Sequence, residues 1–197
     1  MKFFVEFTSL AMTAIFLENV IFSRALGASR MLDVLKRGKN MVSFGLLLTV
    51  MTTLAAAVTY PISLMLRETG VGVYYRPFFF VIAITAVYLL VYLGTAKLLP
   101  ALHKRLGASI TFATFNCALL GSVFLAADQS YSLARTLGFG FGSGLGFTLA
   151  TLLVAEGKRR LMLSDVPKSF RGFPIMLMYL GMVALAMYGL VGHQLPF

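Results

Sequence analysis

The sequence predicts an all-α integral membrane protein: six transmembrane helices arranged as an inverted 3+3 repeat, with helices 1 and 4 broken. Three observations lead to the membrane class and its six spans; the repeat rests on a weak internal similarity. Of 197 residues, 59% are hydrophobic and 12% charged, and the mean hydropathy is +0.87, which leaves too little polar surface for a water-soluble domain of this size. The apolar residues gather into stretches of about 20, of which a chain this long holds about six with short loops. Finally, lysine and arginine concentrate in alternate connections, as they do in multi-pass membrane proteins.

The first span, residues 3–23, is apolar apart from Glu6, Glu18, Asn19 and scattered hydroxyls. Two acids, and a length beyond the roughly 7–15 residues of a signal core, argue against a cleaved leader. Residues 24–40, RALGASRMLDVLKRGKN, read as a basic loop. The second span covers 41–66, with Pro61 near its end implying a kink or an early exit. A short turn rich in glycine and tyrosine leads to the third span, Pro77 to Leu99, a plain scaffold helix with Pro77 in its first turn and Lys97 able to snorkel outward. The fourth, Ser109–Asp128, carries Cys117, with Thr114 and Asn116 just before it and Gly121 four residues later; such backbone is easy to break and to approach.

The fifth span runs from Tyr131 or Ser132 to about Ala155. Its glycines give neither the dinucleotide spacing nor a phosphate loop followed by lysine and a hydroxyl. Gly138, Gly142 and Gly146 instead recur at four-residue intervals, as do Gly140 and Gly144, baring two adjacent helix faces for close packing. Residues 156–172 form the most polar loop, and the sixth span runs from Phe173 to about Gly192, leaving HQLPF beyond it.

Basic residues in short loops stay on the cytoplasmic side. Arg24, Arg30, Lys36, Arg37 and Lys39 follow span one, Lys97, Lys104 and Arg105 surround the exit of span three, and Lys158, Arg159, Arg160, Lys168 and Arg171 follow span five. Only Lys2, Arg67, Arg76 and Arg135 lie opposite, so the amino terminus is expected outside. The net charge of +10 does not indicate nucleic acid, because the bases are divided among membrane loops without aromatic interleaving. Topology and contact with an anionic lipid bilayer account for it.

The single cysteine excludes an intrachain disulfide and a site built on several cysteines of this chain. By residue type Cys117 reads as a small buried hydrophobe; a cysteine-bound cofactor would have to be shared with another chain. Glu18 is an acid inside a span, which serves either an ion path or a structural role satisfied by Asn19 or Thr13. His103 and His193 read as solvated loop or terminal residues, and Asp165 and Arg171 as holding the SDVPKSFRG loop or a partner. No histidine is placed to serve a hydrolytic triad.

A weak internal repeat appears once the spans are laid out. Glu18-Asn19 and Phe115-Asn116, the latter with Thr114, each precede a small-residue turn, Leu26-Gly27-Ala28-Ser29 and Leu120-Gly121-Ser122. Three spans per half give the two copies opposite orientations, so residues 1–100 and 101–197 form the halves of one membrane domain, with a site between the broken segments.

The stretches IFLENVIFSRALGAS, LGASITFATFNCALLG, YSLARTLGFGFGSGLGF and LSDVPKSFRG resemble the small membrane subunits of the Rnf and Nqr respiratory complexes, most closely the A subunit of Rnf and the E subunit of Nqr. The resemblance covers nearly the whole chain. It implies a six-span inverted repeat in the bacterial inner membrane, paired with a related membrane subunit within a larger set of Rnf/Nqr-like subunits. It further implies a 2Fe-2S cluster held by two cysteines from each of the two chains, passing electrons across the membrane while the complex moves sodium ions or protons. The chain would be part of an ion-pumping oxidoreductase of the ferredoxin:NAD or NADH:quinone type, not a catalyst alone.

Carried over residue by residue, Cys117 in Asn116-Cys117-Ala118 matches the family's second cysteine. The first should follow Leu26-Gly27 by two positions, where this chain has Ser29 and then Arg30; Thr111 stands where the family has proline. A serine alkoxide is a harder and far more basic ligand for iron than a thiolate. Two expectations follow from the resemblance: a cluster on Cys117 and Ser29 with Gly27 and Asn116 shaping the site, or a cofactor-free paralogue acting as a transporter or membrane scaffold. The Glu18-Asn19 pair has its counterpart in the Nqr branch, which implies a place on the ion path.

The topology is testable directly. Reporters fused after Lys39, Arg105 or Lys168 are expected to report cytoplasm, and one fused after Phe197 the outside; a cytoplasmic carboxyl terminus would refute the six-span, amino-terminus-out arrangement.

Overall fold

In an apolar surround a single segment can pair its own backbone groups only as a helix. The computed structural model, which describes residues 2–37, 41–68, 72–98, 100–165 and 167–191, accordingly contains helices and no strands among those residues. In order they are α1 (Lys2–Phe16), α2 (Ala28–Arg37), α3 (Met41–Glu68), α4 (Gly72–Leu98), α5 (Pro100–Thr114), α6 (Cys117–Asp128), α7 (Leu133–Leu163) and α8 (Phe173–Val191), with a 3-10 turn at Lys168–Phe170 before α8.

Three of these helices, α3, α4 and α7, are long and apolar enough to cross a bilayer, and the α5/α6 pair, bent by 41°, makes a fourth if counted as one span. The expected first span is divided: α1 has 15 residues, about 22 Å of helix, short of a roughly 30 Å hydrocarbon core. Residues 28–37, expected in a loop, are helical, with Met31 and Leu35 buried, Arg30 half-buried and Asp33 exposed. The apolar stretch described in α8 is likewise the shorter Phe173–Gly189.

Both prolines expected at helix ends lie inside helices. α3 continues through Pro61 to Glu68, and α4 begins at Gly72, so Pro77 is preceded by a full turn that includes Tyr74 and Tyr75. α3 packs against α4, α5, α6 and α7, and neighbours of this kind let a membrane helix tolerate a missing N–H. The fifth span also runs further than expected: α7 starts after the Ser132 cap and reaches Leu163, taking in residues 156–163 of the expected loop. His193 and Lys39 lie outside the described residues.

α7 is the axis of the bundle. Of its apolar stretch 67% is buried, against 22% for α4, whose Phe78, Ile82, Leu89 and Leu93 face outward. The glycine spacing explains how α7 can be surrounded. A Cβ at Gly138 would collide with the backbone of Phe7, and one at Gly142 would lie 2.5 Å from the Ala11 carbonyl oxygen, so this face seats α1. A Cβ at Gly140 would lie 2.9 Å from Ala56 Cβ, and one at Gly144 would collide with Thr49, so the adjacent face seats α3.

The α3–α7 seam is reciprocal. The space beside Gly45 of α3 is filled by Thr148 of α7, and the space beside Gly144 of α7 by Thr49 of α3. Each threonine hydroxyl donates back to the glycine carbonyl one turn earlier in its own helix, Thr49 Oγ1 to Gly45 O at 2.8 Å and Thr148 Oγ1 to Gly144 O at 3.0 Å. Thr52 Oγ1 crosses the seam to Gly140 O at 2.8 Å. Hydroxyls that satisfy themselves locally can be buried between helices without an unpaired donor.

Because the atoms facing Gly144 belong to backbone as well as side chain, Gly144→Val is expected to destabilise the protein by about 1–3 kcal/mol through overpacking. Gly94, with nothing within 4 Å of an added Cβ, is the control: Gly94→Ala is expected to be neutral or stabilising by up to about 1 kcal/mol. Thermal unfolding of the detergent-solubilised protein would measure both.

Candidate functional site: the junction of α2 and α6

α1 stops because the N–H groups of Leu17 and Glu18 both turn to Thr13 O, at 2.9 and 2.8 Å. Asn19, 1% exposed, organises the next turns. Its Oδ1 accepts from Ile21 N at 3.1 Å, and its Nδ2 donates to Ile15 O and to Gly146 O of α7, each at 2.9 Å. Its carbonyl accepts from Ser23 N at 2.8 Å and Ser23 Oγ at 2.7 Å. The chain then passes through left-handed Ala25 (φ 55°) and Gly27 (φ 81°) into α2, where Met31 N donates to Gly27 O at 2.9 Å. A Cβ on Gly27 would lie 2.9 Å from both Ala118 Cβ and Asn116 Oδ1, so glycine answers a need for space as well as for its φ.

The second interruption is only Phe115-Asn116. Asn116 is extended (φ −115°, ψ 133°) and N-caps α6, its Oδ1 accepting from Ala118 N at 3.1 Å. The same residue type thus makes the same bond to the N–H two positions ahead at both breaks. The two differ in the other half of the amide. Asn116 is 0% exposed, and its Nδ2 has no hydrogen-bond partner among the described residues, whereas Asn19 Nδ2 has two.

The amino ends of α2 and α6 converge here. Gly27 abuts Asn116 and Ala118, and Leu26 fills the space beside Gly121. Both helices direct partial positive charge toward the junction. Their far ends are capped by bases from neighbouring helices. Lys158 Nζ of α7 donates to Leu35 O at 3.2 Å, near the end of α2. Arg67 Nη2 of α3 donates to Ala127 O, and Arg76 Nη1 of α4 lies 2.6 Å from Asp128 Oδ1, at the end of α6.

Cys117 is the first residue of α6 and Ser29 the second of α2; both are exposed on the chain's own surface. Cys117 is therefore not the buried small residue that its type suggested. Arg30 lies beside Ser29 with its guanidinium 4.9 Å from the centre of the Phe112 ring and Nη1 3.9 Å from Asp33 Oδ2. Glu18 is half-buried. Burial pushes the hydroxyl of Tyr131, in the connection between α6 and α7, above its usual range, and the negative charge of Glu18 adds to that against Arg135 and Arg24.

His103 departs from expectation. It lies in α5 rather than a loop, half-buried, with Nδ1 3.2 Å from Thr95 Oγ1 and its ring edge-on to Tyr92 at 4.6 Å. Tyr92 in turn meets Tyr88, whose ring lies 5.3 Å from Phe115 and whose hydroxyl is 3.2 Å from Thr111 Oγ1. Sequence reasoning missed these tyrosines beside the second break; their i, i+4 spacing on α4 was the available signal. It also missed the capping role of Lys158, Arg67 and Arg76, for which bases at span ends were the signal. Asp165 and Arg171 are exposed on either side of the 3-10 turn.

Among the described residues no three of His, Cys, Asp and Glu gather as a metal site. The iron ligands this chain can offer at the junction are one thiol and one hydroxyl, each at a helix amino end. That set is one thiolate short of the two per chain that the resemblance implies.

Comparison with known proteins places the whole chain. It is 36% identical to the A subunit of the Na(+)-translocating ferredoxin:NAD(+) oxidoreductase complex of Acetobacterium woodii, over 93% of this chain and 95% of that protein. It is 33% identical to the A subunit of the ion-translocating oxidoreductase complex of an Azoarcus species, over 95% and 97%, and 32% identical to that of Syntrophotalea carbinolica, over 91% and 93%. The family model described as Rnf-Nqr subunit, membrane protein, matches residues 7–193. This multi-pass membrane protein therefore belongs to the Rnf-Nqr subunit family.

Proposed function

We propose that this chain is a membrane subunit of an Rnf-type ion-translocating electron-transport complex in the inner membrane of a bacterium, with its amino terminus outside. The observation that carries this reading is the near-full-length similarity to the A subunit of such a complex. Its partners are the other subunits of an Rnf/Nqr-like assembly, a related membrane protein among them.

In this reading residues 1–100 and 101–197 are half-repeats of opposite orientation within one membrane domain. Three features support that. Asn19 and Asn116 make the same amide bond at the two breaks. Gly45/Thr49 and Gly144/Thr148 exchange places across the seam. Each short helix after a break is capped at its far end by a base from the other half, α2 by Lys158 and α6 by Arg67.

The junction of α2 and α6 is then the electron-carrying site, shared with the partner. Cys117 is the ligand this chain contributes to an intersubunit iron–sulfur site, Ser29 stands where a second thiolate belongs, and Gly27 and Asn116 set the backbone around them. Glu18 and Asn19 lie on the ion path, supported by a half-buried carboxylate at a helix break. Ser29 favours a second reading, a cofactor-free paralogue that keeps the fold as a transporter or membrane scaffold.

Iron content and electron paramagnetic resonance of the purified complex separate the two readings. The first expects a signal in the parent, its loss in Cys117→Ser, and tighter iron binding in Ser29→Cys. Iron absent from the parent and from Ser29→Cys, with assembly intact, selects the second. For the ion path, Glu18→Gln is expected to leave assembly unchanged while lowering ion-coupled turnover; unaltered coupling would return Glu18 to a structural role.

A further inference from the structure

A cavity lies at the basic end of α7 where α2 and the start of α8 come together, lined by none of the residues of the α2–α6 junction described above. It encloses about 500 Å3, within the roughly 300–1,000 Å3 of small-molecule sites. Its walls are mostly apolar, among them Leu35 of α2, Leu161 of α7, and Ile175 and Met176 of α8, and the lining includes two cations, Lys158 and Arg171, beside the Ser164 hydroxyl. Among the described residues Lys158 gives one of its three N–H donors to Leu35 O, and the other two can turn toward a ligand in the cavity. The surrounding segment adds Arg159, Arg160 and Lys168 against two acids, Glu156 and Asp165. Glu156 is already engaged by Arg160, Oε1 to Nε at 3.2 Å.

An apolar chamber with cations on one side fits an amphiphile with an anionic head, and a membrane protein meets such a molecule in its own bilayer. We propose that this cavity is a specific site for an anionic phospholipid, with an acyl chain seated between α2, α7 and α8 and its phosphate paired with Lys158 and Arg171. A guanidinium engages phosphate with a planar fork and an ammonium as a point charge, so the two together hold a phosphodiester more firmly than either alone. Basic pockets of this kind between membrane helices select anionic head groups over zwitterionic ones. Lys158 also caps α2, so lipid occupancy and the position of α2 are coupled through one side chain.

The test uses the intact complex in nanodiscs of equal parts phosphatidylglycerol and phosphatidylcholine, with the lipid retained after mild extraction measured by mass spectrometry. Phosphatidylglycerol is expected to be enriched. Arg171→Gln and Lys158→Gln are each expected to lower its retention about fivefold, while Lys158→Arg keeps it. Ile175→Trp, which fills the chamber and removes no charge, is expected to release the lipid with assembly intact. Millimolar inorganic phosphate is expected not to displace it; displacement would assign the site to a free anion and overturn the proposal. Equal retention of the two lipids, retention unchanged in Ile175→Trp, or a photo-cross-linker at Met162 that captures a partner protein instead of lipid would also overturn it.

Discussion

Backbone N–H and C=O groups released at a helix break find no water inside an apolar bundle, and each left unpaired costs on the order of several kcal/mol. This protein ends α1 and interrupts the α5/α6 span in such surroundings, and both times it turns to asparagine, whose side chain imitates a peptide group. At the first break one amide serves three main-chain groups, on Ile15, Ile21 and Gly146. At the second the same residue type caps α6 through Oδ1 alone.

Much of the remaining architecture follows from how short that side chain is. For Asn19 to reach the carbonyl of Gly146, α1 must lie almost against the α7 backbone, and a Cβ at Gly146 would stand 2.9 Å from Asn19 Nδ2 and 3.0 Å from Ala14 O. The glycines at 138 and 142 carry the same close approach along α1, and those at 140 and 144 repeat it against α3. Packing of this kind gains dispersion contacts where lipid offers no hydrophobic drive for helices to associate. A helix with so many glycines holds its place because it is enclosed, not because of its intrinsic propensity.

What was legible in the sequence was whatever a single residue type reports unaided. The four-residue glycine periods gave the two packed faces of α7, and Asn116 beside Gly121 gave the second break. Element limits were less legible. Pro61 and Pro77 signal helix ends in water, yet both lie within helices here, because neighbouring helices compensate for one absent donor. Residues 28–37 looked like loop because four of ten are charged, but the charges leave one apolar stripe, Met31 and Leu35, and that stripe is buried. The exposure of Cys117 was not legible, since it depends on which side of α6 the break turns outward. Tyr88 and Tyr92 were signalled only by their i, i+4 spacing within an apolar span, which shows that they share a face but not that Phe115 and His103 meet it.

The exchange of glycine and threonine across the α3–α7 seam bears on how such a chain can diverge. Two positions on one helix are sterically complementary to two on the other, so a gain in volume at residue 45 or 144 is admissible only with a loss at residue 148 or 49. Single changes pass through a clash and paired changes do not. The seam is thus expected to drift slowly and by correlated pairs while the outward face of α4 drifts freely, so that divergence leaves its record at the surfaces that meet lipid before it reaches this crossing.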